Sequence, residues 1–218
     1  MVSQKGSPTL RFTKISLHFK CLIEGEIMNF KYHLETAWNM TLKFIAPLIF
    51  MTLVMFLLWF FTIGILAPVT MAGYMHSILL MLRDGREPKI QDLFSQMKLF
   101  LPLLGFSILV FIATMIGFML LILPGIVISL GISFCCLYML PLMTDKDLGL
   151  FDAIKESYTM MTQGVFVDQI VVLILFLGIS AAGSAVFIGS LFTQPLATIF
   201  LLSVYEEKIK LPPQIKEP

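Results

Sequence analysis

Three stretches of this chain contain no Asp, Glu, Lys or Arg: residues 44–82, 99–144 and 169–205, of 39, 46 and 37 positions. A helix needs about 20 apolar residues to cross the hydrocarbon of a bilayer. Each stretch is therefore near the length of two spans joined by a tight turn. Turn signals sit inside each one: Gly64 and Pro68 in the first, Leu123-Pro124-Gly125 in the second, Gly189 and Pro195 in the third. Proline lacks the amide N–H and clashes with the preceding turn, so it ends or kinks a helix. The expected spans are 44–66, 69–82, 99–122, 126–143, 169–189 and 193–205. The second and sixth are short; tilted, interfacial and re-entrant courses all stay open for them. Only 13% of the residues are charged, against about 25% in a soluble domain. A soluble fold could not cover such a surface with polar groups, and a bilayer removes that need.

All 15 Lys and Arg lie outside the three stretches. Six precede the first, Arg83, Arg86, Lys89 and Lys98 lie between the first and second, Lys146 and Lys155 between the second and third, and Lys208, Lys210 and Lys216 follow the last. Positive loops stay cytoplasmic. One face therefore collects every charge, both termini are expected on the cytoplasmic side, and the hairpin tips are expected on the other. No basic block stands out, and the net charge is +1, so nothing argues for nucleic acid.

The chain repeats itself. Leu42-Lys43-Phe44-Ile45-Ala46-Pro47-Leu48 matches Met97-Lys98-Leu99-Phe100-Leu101-Pro102-Leu103 at an offset of 55, and Pro68 and Pro124 are 56 apart. Each unit begins with a short amphipathic segment. In the first, Leu34, Trp38, Leu42 and Ile45 share a face. In the second, Ile90, Leu93, Phe94, Met97 and Leu101 oppose Gln91, Asp92 and Ser95. In the third, Phe151, Ile154, Tyr158 and Met161 form a 3-4-3 stripe away from Asp152, Lys155, Glu156 and Thr159. Such segments either lie along the membrane surface or merely lead into the next span. Two spans per unit make the repeats parallel, around an approximate three-fold axis along the membrane normal. The expected fold is an all-α membrane protein: six transmembrane helices as three parallel-repeated hairpins, each preceded by a short amphipathic interfacial helix. The units run over about 34–86, 90–147 and 150–207, within a membrane domain of 28–207. Residues 208–218 are a cytoplasmic tail. Residues 1–27 have neither span nor repeat partner, and Met28 is the expected native start.

The order Leu123-Pro124-Gly125-Ile126, Leu140-Pro141-Leu142, Asp145, Leu148-Gly149, Ala153-Ile154, Ser157, Pro195 and Tyr205-Glu206 resembles the YciC-like group of bacterial inner-membrane proteins. The resemblance covers roughly residues 29–207. It implies about six spans and a multi-pass place in the bacterial inner membrane, and it carries over no catalytic residue.

Candidate chemistry is sparse. Cys21, Cys135 and Cys136 suggest no disulfide framework, because neighbouring cysteines rarely bridge; they read as small apolar packing residues. No metal-protease, nucleophile-elbow or phosphate-loop motif is present, and no metal or cofactor is expected. The polar residues of interest within or beside the spans are Tyr74, His76, Ser77, Ser133, Tyr138, Asp168 and Tyr205. His76 beside Tyr74 and Ser77 fits an inter-helix hydrogen bond, solvation, or a proton or ligand role. Asp168 fits a site or a solvated interface. Gly178, Ala182, Ala185 and Gly189 at 4-3-4 spacing read as a close helix contact. The charged cluster Asp145, Lys146, Asp147, Asp152, Lys155 and Glu156 is a solvated face or a docking surface.

The leading expectation is a non-enzymatic membrane protein with an envelope, lipid-associated or assembly role. Membrane lipids are its expected partners, with a protein at the cytoplasmic face or a second copy also open. The alternative is a transporter or channel for a small neutral or amphipathic solute, its path lined by Ser77, Ser133, Tyr138 and Thr198. Ion-coupled transporters usually carry intramembrane carboxylates, which this chain lacks.

Overall fold

A computed structural model describes residues 29–162, 166–184 and 187–210. The expected extension over 1–27 and the start at Met28 lie outside the described residues, as does the tail beyond Lys210. Among the described residues the chain is helical and has no strand. The helices are α1 (Phe30–Lys43), α2 (Ile45–Phe61), α3 (Ala67–Asp84), α4 (Phe100–Leu120), α5 (Ile122–Cys135), α6 (Met139–Asp145), α7 (Leu150–Thr162), α8 (Phe166–Ser184) and α9 (Phe187–Lys210). Two 3-10 turns, Ile90–Phe94 and Met97–Leu99, stand between α3 and α4.

The sequence explains the boundaries. Asn29 caps α1 by accepting a hydrogen bond from the Tyr32 N–H at 3.1 Å. Pro68 sits in the first turn of α3, where a missing N–H costs nothing. Gly85 ends α3 in the left-handed region at φ 66°, and its N–H closes the Met81 carbonyl at 3.0 Å. A single extended residue, Leu121, separates α4 from α5. Lys43 and Lys98 each stand two residues before a helix start, and Pro47 and Pro102 are each the third residue of that helix.

Length and apolarity qualify three helical runs to cross a membrane: 90–120, 122–145 and 188–210. Counting the bent pairs α1–α2 (88°) and α7–α8 (114°) as one span each gives five. The expected sixth span, 193–205, lies inside a longer helix. Pro195 does not end it: α9 runs through that residue for 24 residues. The expected fourth span is interrupted between Cys135 and Met139.

α3, α6 and α9 supply much of the core. Tyr74, Ile78 and Met81 of α3, Leu142 and Met143 of α6, and Ile199, Phe200 and Tyr205 of α9 are fully buried. α3 touches both α6 and α9. It runs parallel to α9, since Met71 meets Gln194 near one end and Arg83 meets Glu206 at the other. It runs antiparallel to α2, through the pairs Trp59–Thr70 and Thr52–Tyr74. α2 adds Leu48, Met51 and Met55 to this core and α8 adds Val172, whereas α4 stays largely outside. In the α4 run only 6% of the apolar window is buried, against 61% in the α9 run.

The amphipathic segments α1 and α7 meet the bundle mostly by residues outside their expected apolar stripes. α1 buries His33, Ala37 and Thr41 and leaves Leu34, Trp38 and Leu42 exposed, and Ile45 at the start of α2 is exposed too. α7 buries Ala153, Ser157 and Met161, while Phe151 and Tyr158 face outward. α1 thus turns small or polar residues to the bundle and large apolar residues to an open side, whereas α7 also buries Met161 of its expected stripe. The segment from Ile90 is not an amphipathic helix. It folds into 3-10 turns because the Asp92 carboxylate draws it together. That carboxylate accepts hydrogen bonds from Ser77 at 2.7 Å, Arg86 at 2.5 Å and the Lys89 N–H at 3.2 Å.

The same turn presses on α3 at Gly73, where an added Cβ would lie 2.4 Å from the Leu93 carbonyl oxygen and 2.5 Å from that of Asp92. Both atoms are backbone and cannot swing aside. Gly73→Ala should therefore cost about 1–3 kcal/mol by overpacking, read as a lower melting temperature in detergent. Gly105→Ala, with nothing within 4 Å of its Cβ, serves as the control and should melt like the parent. Of the expected stripe of Gly178, Ala182, Ala185 and Gly189, Gly189 makes a close contact and Gly178 and Ala182 do not. Gly178 has open space around it and Ala182 is exposed; Ala185 lies outside the described residues. The α8–α9 approach is made by Gly183, whose added Cβ would meet Thr193, together with Gly189 against the Gly183 carbonyl.

Candidate functional site at the charged end of the bundle

The first charged residue after each charge-free stretch is Arg83, Asp145 and Glu206 respectively. They stand at or near the charged ends of α3, α6 and α9, and they meet. Arg83 donates from Nη2 to Asp145 Oδ2 at 2.8 Å and from Nη1 to Asp145 Oδ1. Its Nε donates to Glu206 Oε1 at 2.5 Å. Tyr205 adds its hydroxyl to Asp145 Oδ2 at 3.2 Å. The Asp145 and Glu206 side chains are only 14% and 11% exposed, and that of Arg83 35%. One guanidinium thus binds a carboxylate from each of the other two returning helices, using the fork geometry that favours bidentate pairs. The hydrogen bonds to Asp145 hold the Arg83 guanidinium protonated more firmly than usual. The hydrogen bond from Arg83 holds the Asp145 carboxyl below the ordinary carboxylate range, against the opposing effect of burial.

A second layer surrounds this junction. Tyr138 stacks on Tyr205 with ring centroids 6.1 Å apart. Its hydroxyl donates to Gln169 Oε1 at 3.1 Å, and its backbone N–H donates to Ser157 Oγ at 3.1 Å. Lys208 donates to the Met160 carbonyl at 2.5 Å and stands over the Tyr138 ring. Burial pushes its ammonium down to about 8, partly opposed by the Asp168 carboxylate. On the flank, His33 is buried between Ser203 and Glu207. Its Nδ1 lies 2.7 Å from Ser203 Oγ and its Nε2 lies 2.5 Å from Glu207 Oε2. This contact pins α1 to α9. An exposed ion pair, Lys98–Asp147, joins the loops before α4 and after α6.

The predicted polar residues divide. Tyr138, Tyr205 and Asp168 belong to the charged end. Ser77 belongs to the Asp92 contact. Tyr74 pairs with Thr52 at 3.0 Å. His76 is half-buried, and its buried Nδ1 has no hydrogen-bond partner among the described residues. Ser133 is half-buried on α5 and joins none of these contacts. Sequence reasoning missed Arg83, Glu206, His33 and Gln169. The signal for the first two lay in their positions at the edges of the charge-free stretches.

Several hydroxyls within the helices are consumed internally, although the buried Thr193 Oγ1 on α9 has no hydrogen-bond partner among the described residues. Thr52 donates to its own helix at Leu48, so the Tyr74 hydroxyl must donate to Thr52. Thr70 donates to the Leu66 carbonyl and accepts from the Trp59 indole at 2.8 Å. Thr198 bonds back to Gln194. Of the residues expected to line one path, Ser77 bonds to Asp92, Tyr138 to Gln169 and Ser157, and Thr198 to Gln194. Among the described residues no group of three His, Cys, Asp or Glu could hold a metal, and Cys135 and Cys136 are free thiols.

No protein-family model, curated protein or solved structure matches the chain.

Proposed function

We propose that this is a non-enzymatic integral membrane protein with a lipid-associated or assembly role in the bacterial envelope. Its three hairpins enter from one charged, cytoplasmic face that also carries both termini, in keeping with the resemblance to the YciC-like inner-membrane group. The observation that carries the reading is the junction of Arg83, Asp145 and Glu206. It ties the three returning helices at their charged ends, and it places the ionised groups beside one another rather than along a route through the bundle. The internal closure of Thr52, Thr70, Tyr74 and Thr198 supports the same conclusion, because a polar solute would find few free partners there. α1 and α7 lie at the membrane surface in this reading, with Trp38, Leu42, Phe151 and Tyr158 toward the acyl boundary and the charged sides toward water.

Native mass spectrometry of the protein extracted in its own lipids tests this directly. The expected result is retained phospholipid and a defined stoichiometry. A small neutral solute bound in stoichiometric amount, or solute flux into vesicles that depends on the protein, would replace this reading with a transporter or channel.

A further inference from the structure

The hairpin of α4 and α5 is joined to the bundle mainly at its base. Of its residues only Leu103, Gly117 and Gly125 are buried. Leu103 stands in the first turn of α4, and Phe106 and Phe134, also toward the charged end, pack against the common core. Between Phe106 and Phe134 no apolar residue joins that core. Gly117 and Gly125 are covered by the hairpin itself. A Cβ on Gly117 would lie 3.0 Å from Gly125 Cα, and one on Gly125 would lie 2.5 Å from the Phe118 ring. The distal half therefore holds to its own partner helix and not to the bundle.

Both junctions with the bundle are irregular. On the way in, Gln96 leaves helical geometry at φ −104° and ψ 24°, and the chain passes through the 3-10 turn Met97–Leu99 before α4 begins. On the way out, α5 stops at Cys135, and the Tyr138 N–H leaves the helical ladder for Ser157 Oγ on α7. A 3-10 stretch in a helical run, or a side chain drawn into its ladder, marks a hinge or kink. The residues just outside the two breaks are tied down. Asp92 is held by Ser77 and Arg86, and Leu93 is fully buried. Tyr138 is fully buried, stacked on Tyr205 and bonded to Gln169.

Hinges are a few element-terminal residues that absorb a change in φ and ψ. A region with few buried apolar contacts opens at low free-energy cost. Both conditions meet in this hairpin. Its contacts through Leu103, Phe106 and Phe134 lie close to the breaks, where a swing displaces them least.

We infer that α4 and α5 swing as one unit about the breaks at 96–99 and 136–138, carrying the hairpin tip toward and away from the rest of the bundle. The inference rests on the membrane reading above, in which acyl chains fill the space that opens.

The test is double electron–electron resonance between nitroxides, in a background with Cys21, Cys135 and Cys136 replaced by Ala. The protein is held as single copies in nanodiscs of phosphatidylethanolamine and phosphatidylglycerol. All labelled positions are exposed. Phe50→Cys with Ile174→Cys spans the bundle, and Leu101→Cys with Met119→Cys runs along α4. Phe50→Cys with Met119→Cys reads the hairpin against the bundle. The last distance distribution should be about twofold broader than the other two. A Phe50–Met119 distribution no broader than Phe50–Ile174 overturns the inference. Equal breadth along Leu101–Met119 also overturns it, by placing the motion within α4. A single nitroxide on Phe111→Cys reads depth separately. It should collide more with oxygen, which concentrates in hydrocarbon, than with nickel-EDDA, which stays in water. Nickel-EDDA dominance there overturns the membrane reading and this inference with it. Narrow distances with oxygen dominance overturn the inference alone.

Discussion

Arg83→Met is expected to cause the largest loss of stability of any single charge substitution on this protein. It removes the one cation that two mostly buried carboxylates share, and leaves Asp145 and Glu206 facing each other. Removing one partner of a buried pair costs about 3–5 kcal/mol; the partial exposure of Arg83 places this case near the lower end. The melting temperature in detergent should fall accordingly. Adding Asp145→Asn and Glu206→Gln in the Arg83→Met background should recover part of the loss, because no uncompensated charge remains. Arg83→Lys should fall between parent and Arg83→Met, since an ammonium cannot reproduce the fork. The junction also sets a pH dependence. The Asp145 carboxyl is depressed in the folded state, so its contribution is present above its unfolded value, about 3.9. It is lost as pH falls through the folded value. The parent protein should therefore lose stability on acidification below about pH 4. In Arg83→Met the two carboxylates repel, their protonation relieves the strain, and mild acid should stabilise the variant. Parallel pH trends in both proteins would mean that Arg83 does not govern Asp145.

The second large effect concerns α7. Ala153→Asp places a carboxylate at a position with no exposure, between α7 and the bundle. An unpaired charge there should cost several kcal/mol. Lys155→Asp, on the water side, should stay within about 0.5 kcal/mol. Phe151→Asp discriminates further. Its side chain is exposed on the apolar side of α7, so the melting temperature in detergent should change little. Resistance to extraction from vesicles should drop, because one interfacial contact is lost. If Ala153→Asp and Lys155→Asp melt alike, α7 does not dock by this face.

What the sequence revealed, and what it hid, follows from the range of the interactions involved. The positions of the helices were legible because charge, Pro68, Pro124 and the apolar runs act locally. The matched segments around Lys43 and Lys98 each stand just before a helix start. Which face of an amphipathic helix meets the protein was not legible. The apolar stripe of Leu34 and Trp38 stays exposed, and the bundle takes His33, Ala37 and Thr41 instead. The 3-10 turns after Lys89 escaped notice because they depend on Asp92 meeting Ser77, a residue of α3. The junction itself is a long-range contact, and 61 residues separate Asp145 from Glu206. Its members were nonetheless marked, each being the first charge after an apolar stretch. Spacing of small residues served only in part, since Gly178 stands in the open while Gly183 and Gly189 make the approach.

The central claim is that all three hairpins enter from one face, and side-specific labelling tests it most directly. Single cysteines at Glu87→Cys, Lys146→Cys and Lys155→Cys, all exposed on the charged face, would be treated with an impermeant maleimide in intact cells and in inverted inner-membrane vesicles. The account predicts no labelling in intact cells and full labelling at all three sites in inverted vesicles. Labelling of any one of them in intact cells would place two of these loops on opposite sides of the membrane, or reverse the whole orientation, and would contradict the account.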